Sequence, residues 1–119
     1  MSKEIFNTQG FFGMTNHTDE EGNSLGFSMP GLFKGETDHF GPNGEYLGTS
    51  YEGFFGMTDH VDAGGNYLGA SMQGVLDGSR DHFNASGEYV GTTYESFIGT
   101  AYEGSDPELG LFGSAGHED

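Results

Sequence analysis

The chain has 119 residues, of which 33% are hydrophobic, 23 are glycine and none is Cys or Trp. Nineteen acidic residues face three basic ones, a formal net charge of −16, which disfavours nucleic acid and anionic membrane as partners. Without Cys, disulfides and thiolate metal sites are excluded; the length allows one domain and one core.

In chain order, the first segment is a half unit, residues 1–13, ending Gly10-Phe11-Phe12-Gly13. It has no apolar signal core, and no stretch reaches the roughly 20 apolar residues of a membrane span, so the expectation is a cytoplasmic protein, export by another route aside. Four copies of a 21- or 22-residue unit follow, at 14–35, 36–56, 57–78 and 79–99. Residues 100–119 read as a degenerate unit and tail, without a convincing helix. Such a period marks one supersecondary unit stacked on itself.

Each copy centres on a turn ending in glycine: Asp19 to Gly22, Gly41 to Gly44, Asp62 to Gly65 and Asn84 to Gly87. This predicts a type I turn closed by a left-handed glycine, hence a hairpin. Counting outward pairs Phe40 with Tyr46, Val61 with Tyr67 and Phe83 with Tyr89. The next pairs are His39 with Leu47, His60 with Leu68 and His82 with Val90. The first copy carries Thr18 and Ser24 in place of the aromatic pair. Glycine-bracketed apolar connectors come next, such as Gly31-Leu32-Phe33 and Gly53-Phe54-Phe55. The expected fold is all-β: a β-solenoid-like antiparallel stack of about four hairpins, with a pseudo-period of two hairpins. Its core would be aromatic pairs and connectors, its surface negative throughout, and its incomplete ends either caps or head-to-tail contacts.

The chemistry on offer is a ladder of Asp-His dipeptides. His17, His39, His60 and His82 recur with the unit, three of them preceded by Asp38, Asp59 and Asp81. Imidazole and carboxylate suit a divalent cation, making these seven residues the candidate metal ligands. Adjacent residues on a strand point to opposite faces, which favours a packed, hydrogen-bonded His instead. Ser28, Ser50, Ser71 and Thr93 also recur, so no copy is singled out as a nucleophile site. No cofactor is expected beyond a divalent cation.

The unit resembles a class of uncharacterised bacterial repeat proteins. The match is carried by Asp62-Ala63-Gly64-Gly65, Tyr67-Leu68-Gly69-Ala70-Ser71 and Gly53-Phe54-Phe55-Gly56. Tyr51-Glu52-Gly53 and Tyr102-Glu103-Gly104 are more faintly similar to membrane-occupation-type hairpin repeats. Neither resemblance implies an activity. The expected function is a non-enzymatic structural or protein-interaction protein that binds a protein partner or itself, as a homo-oligomer or head-to-tail filament. No membrane or nucleic-acid partner is expected. The alternatives are an acidic nucleic-acid mimic that binds a basic protein, and a divalent-metal-binding protein using the His/Asp ladder.

Overall fold

The computed structural model describes residues 3–53, 56–74, 78–96 and 99–115. Ten antiparallel strands follow one another in sequence order: β1 (Lys3–Gln9), β2 (Thr15–Thr18), β3 (Ser24–Pro30), β4 (Glu36–Phe40) and β5 (Tyr46–Glu52). The second half is β6 (Thr58–Asp62), β7 (Tyr67–Gln73), β8 (Arg80–Asn84), β9 (Tyr89–Ser96) and β10 (Gly99–Gly104), then helix α1 (Pro107–Ala115). Each strand pairs with its neighbours, and β1 also pairs with β10, from Lys3 opposite Gly104 to Asn7 opposite Thr100. The sheet is therefore a closed up-and-down barrel, not the expected solenoid-like stack.

Closure explains the incomplete ends. The N-terminal half unit supplies one strand, β1, which bonds to β2 on one side and β10 on the other. A stack would leave two open edges; here each terminal strand covers the other's edge, and closure removes the edge liability. The ends neither cap a solenoid nor offer a free strand to a second molecule.

The turns form as their residues demand. Gly22, Gly44, Gly65 and Gly87 have φ of 85°, 85°, 87° and 85°, and each donates its N–H to the carbonyl three residues earlier. The first cross-strand pairs also follow the count: Phe40 faces Tyr46, Val61 faces Tyr67, Phe83 faces Tyr89 and Thr18 faces Ser24. One residue later the register shifts. A bulge leaves Leu47 unpaired and sets His39 opposite Gly48; likewise His60 faces Gly69 and His82 faces Gly91. The expected His–Leu and His–Val pairs are thus replaced by His–Gly pairs.

That bulge decides what lies inside. Gly48 has φ 150°, and a Cβ there would lie 2.2 Å from the Val61 carbonyl and 2.8 Å from the Phe112 ring, so only glycine fits. Bulged Leu25 and Leu47, with Leu68, point inward onto a cluster of Ile5, Tyr102, Leu111 and Phe112. The aromatic pairs do not form the core. They lie on the outer wall, where Phe40 packs at 5.8 Å from Tyr46 and stacks at 5.2 Å on Phe27.

The C-terminal segment, expected to be degenerate, is the plug. Helix α1 touches β1, β3 and every strand from β5 to β10, so it runs inside the barrel. Asp106 caps it by accepting the Leu109 N–H at 3.1 Å, and Pro107 takes the first helical position, where no backbone donor is needed. The entry is fastened further by Tyr102, whose hydroxyl donates to the Val90 carbonyl at 3.1 Å and accepts the Asp106 N–H at 3.2 Å. Burial pushes the Tyr102 phenol up to about 12.

Candidate functional site: a polar ring in the lumen and an apolar crown

All four repeat histidines are fully buried, pointing into the barrel at the level of Phe112 and Gly113. Each sits on the first strand of a hairpin and faces a glycine, whose missing side chain lets the ring reach diagonally to the next hydroxyl. His17 Nε2 lies 2.8 Å from Ser28 Oγ, and Ser28 Oγ lies 2.7 Å from His39 Nδ1. His39 Nε2 meets Ser50 Oγ at 2.7 Å, which meets His60 Nδ1 at 2.6 Å. His60 Nε2 meets Ser71 Oγ at 2.7 Å, which meets His82 Nδ1 at 2.6 Å; His82 Nε2 ends on Thr93 Oγ1 at 2.7 Å. At the other end, His17 Nδ1 lies 2.6 Å from Asn7 Oδ1, and Asn7 Nδ2 donates to Thr100 Oγ1 at 3.0 Å.

One side chain from each of the ten strands is therefore joined in a continuous hydrogen-bonded belt. Its two end residues sit on paired strands, where Thr93 faces Tyr102 and Thr100 faces Glu95, a diagonal offset of two residues. Such an offset is what strand stagger imposes on a barrel.

Burial favours the neutral form of His17, His39 and His60. Burial holds His17 down to about 4 and His60 to about 3, with the Arg80 charge adding to the effect on His60. His39 is held well below its ordinary value by burial first, then by His60 and His17. Phe112 stacks on His39 at 4.2 Å and meets His60 edge-on at 6.2 Å.

The candidate metal ligands are divided between two surfaces. His17, His39, His60 and His82 lie inside, with both ring nitrogens in hydrogen bonds. Asp38, Asp59 and Asp81 lie on the outer wall. There Asp38 accepts from Thr49 at 2.8 Å and Asp81 from Thr92 at 2.9 Å, each Thr also bonding Tyr46 or Tyr89. Copies two and four share this relay, and Ala70 interrupts it in copy three. Among the described residues, no group of three or more His, Asp and Glu side chains converges as a cation site would need.

The barrel's two ends differ sharply. The hairpin turns gather at one end with Asp19, Glu20, Glu21, Glu45, Asp62 and Glu88, joined by Asp106 and Glu108 at the helix entry. Turn geometry holds the exposed Asp19 and Asp62 carboxyls below their ordinary value, chiefly through backbone N–H groups of Asn23 and Asn66. The connectors gather at the opposite end. Here Phe11 is 82% exposed, Phe12 94%, Leu32 87% and Phe33 65%. Phe12 is held at φ 58°, a left-handed conformation unusual for an aromatic residue. Both Lys34 and Arg80 belong to this end, with Glu36, Glu52 and Glu95. Acidic residues are densest at the turn end, while Asp38, Asp59 and Asp81 on the outer wall and Glu36, Glu52 and Glu95 at the connector end carry negative charge over the rest of the surface. The equivalent pairs Phe54-Phe55, Val75-Leu76 and Phe97-Ile98 occupy the other three connectors in sequence but lie outside the described residues.

No protein-family model matches the chain, and no curated protein matches it. The fold is similar to that of a protein from Arabidopsis thaliana solved by X-ray crystallography. The TM-score is 0.58 at 11% identity, over 97% of this chain and 83% of that one. At that identity the likeness shows the fold alone. No helix among the described residues is long and apolar enough to cross a membrane.

Sequence reasoning placed the histidines on one face but missed their partners. The signal was present: Ser28, Ser50, Ser71 and Thr93 each follow a repeat histidine by 11 residues.

Proposed function

We propose that the protein is a non-enzymatic interaction module that associates with a second copy of itself through the apolar end of the barrel. The observation that carries this reading is the exposure of Phe11, Phe12, Leu32 and Phe33 together at one end. Monomeric proteins rarely leave so many large apolar side chains clustered in water. An end face about 30 Å across offers about 700 Å² per partner, close to the roughly 800 Å² of a standard interface.

Charge selects the orientation. Head-to-tail contact would press the apolar crown against the acidic turn end of the next copy, desolvating carboxylates without partners. Crown-to-crown contact keeps the acidic ends on opposite sides of the dimer, well beyond the roughly 8 Å screening length at physiological salt. The acidic end supports a second reading, a docking face for a basic protein, which screening by salt would weaken.

Light scattering over a concentration series separates these. A wild-type dimer that persists or strengthens in sulfate, and that Phe12→Ser/Leu32→Ser abolishes, supports the crown as interface. A monomer throughout the series overturns it. Monomers that bind phosphatidylcholine vesicles through the same residues overturn it in favour of a lipid surface. Salt-sensitive binding to a basic protein, unaffected by crown substitutions, shifts the function to the acidic end.

A further inference from the structure

The belt permits only two proton arrangements. Each Ser hydroxyl lies between two imidazole nitrogens and has a single proton to give. Each neutral imidazole likewise has one N–H and one lone pair. Either every histidine bears its proton on Nδ1 and every hydroxyl donates to Nε2 of the preceding ring, or the whole chain runs the opposite way. A single histidine out of step would leave the hydroxyl on one side with a proton and no acceptor, and the ring nitrogen on the other side with a lone pair and no donor, inside a buried belt.

We infer that Asn7 chooses between them, so that His17, His39, His60 and His82 all carry their proton on Nδ1. The carboxamide is fully buried, and its nitrogen donates to Thr100 Oγ1. That leaves Oδ1, which can only accept, 2.6 Å from His17 Nδ1. His17 must donate from Nδ1, so its Nε2 accepts from the Ser28 hydroxyl. Ser28 Oγ in turn accepts from His39 Nδ1, and the same step repeats through Ser50, His60 and Ser71 to His82, whose Nε2 accepts from Thr93. The result is four histidines in the tautomer that free imidazole side chains populate less, all pointed one way by a residue 75 positions from the last of them. Asn7 is a positioning residue for the whole belt, and the belt is one unit rather than four independent contacts.

Long-range ¹H–¹⁵N correlation spectra of the full chain at pH 7.5 read the tautomers directly. The expected pattern is a protonated-type Nδ1 and an unprotonated-type Nε2 at all four buried histidines. Asn7→Asp keeps an acceptor opposite His17 and should preserve the pattern. Asn7→Leu removes the director and should introduce the Nε2–H form at His39, His60 and His82. Nε2–H or mixed tautomers in the wild type would overturn the inference, as would a folded Asn7→Leu with an unchanged pattern. Should Asn7→Leu not fold, the wild type and Asn7→Asp still decide, since loss of the Nδ1–H pattern in either contradicts the assignment.

Discussion

The lumen and the connector end use side chains in opposite ways. Inside, four histidines, three serines, two threonines and an asparagine are shut away from water, and each has a hydrogen-bond partner. At the connector end, Phe12 and Leu32 have no cover. The contrast teaches that burial of polarity is tolerable when every donor has an acceptor, whereas exposed apolar surface has no internal remedy. The lumen therefore carries the stability of the barrel, and the crown is available for association.

This division can be broken most severely from inside. A Cβ on Gly113 would lie 2.2 Å from His82 Nδ1 and 2.6 Å from Ser71 Oγ, where helix and belt touch. Gly113→Leu should cost more than about 3 kcal/mol in urea unfolding by overpacking a closed interior and breaking the belt. Next comes Ser50→Ala, which leaves His39 Nε2 and His60 Nδ1 facing a methyl group. Two buried groups losing their partner at about 1–3 kcal/mol each predict a loss of about 2–6 kcal/mol.

Acid should act on the same region. His17 titrates near 4 in the folded chain against 6.5 unfolded, so the unfolded state binds more protons between those values. The stability from its neutral burial is complete above pH 6.5 and is lost as the pH falls toward 4, amounting to about 3 kcal/mol. His39 and His60 act in the same direction, His60 continuing to about 3. Thermal melts from pH 7.5 to 4 should show a steep fall in Tm, and His17→Gln should lessen it, leaving the part due to His39 and His60. A Tm independent of pH in this window would contradict neutral burial.

At the crown the effect on folding should be smallest. Phe12→Gly relieves a left-handed aromatic residue and removes no buried contact, so stability should change by no more than about 1 kcal/mol, toward gain. Association should nevertheless weaken. A large loss of stability from this substitution would show that the crown is part of the core.

Much of the strand pattern was legible in the sequence, because turn glycines and first cross-strand pairs are local features. Closure was not, since nothing in the half unit around Ile5 shows that its strand pairs with a segment some 95 residues away. The bulge at Leu47 was hidden for a related reason: the aromatic pair looks the same with or without it, yet it moves the aromatics outward and the histidines onto glycine. The helix was signalled by Asp106-Pro107-Glu108, a cap, a first-turn proline and an acid. Its nine residues, two of them buried glycines at 110 and 113, are too few to be helical without the barrel around them. The metal reading drew on the same repeat that built the belt, because spacing alone does not say which hydroxyls face an imidazole.

Small-angle X-ray scattering of the wild type, at concentrations where light scattering reports association, tests the central claim about the crown most directly. Crown-to-crown pairing predicts an elongated particle of twice the monomer mass, about twice the monomer's 30 Å extent in length. Phe12→Ser/Leu32→Ser should return it to a compact monomer with an unchanged melting temperature. A wild-type particle that stays compact and monomeric at every concentration would contradict the account.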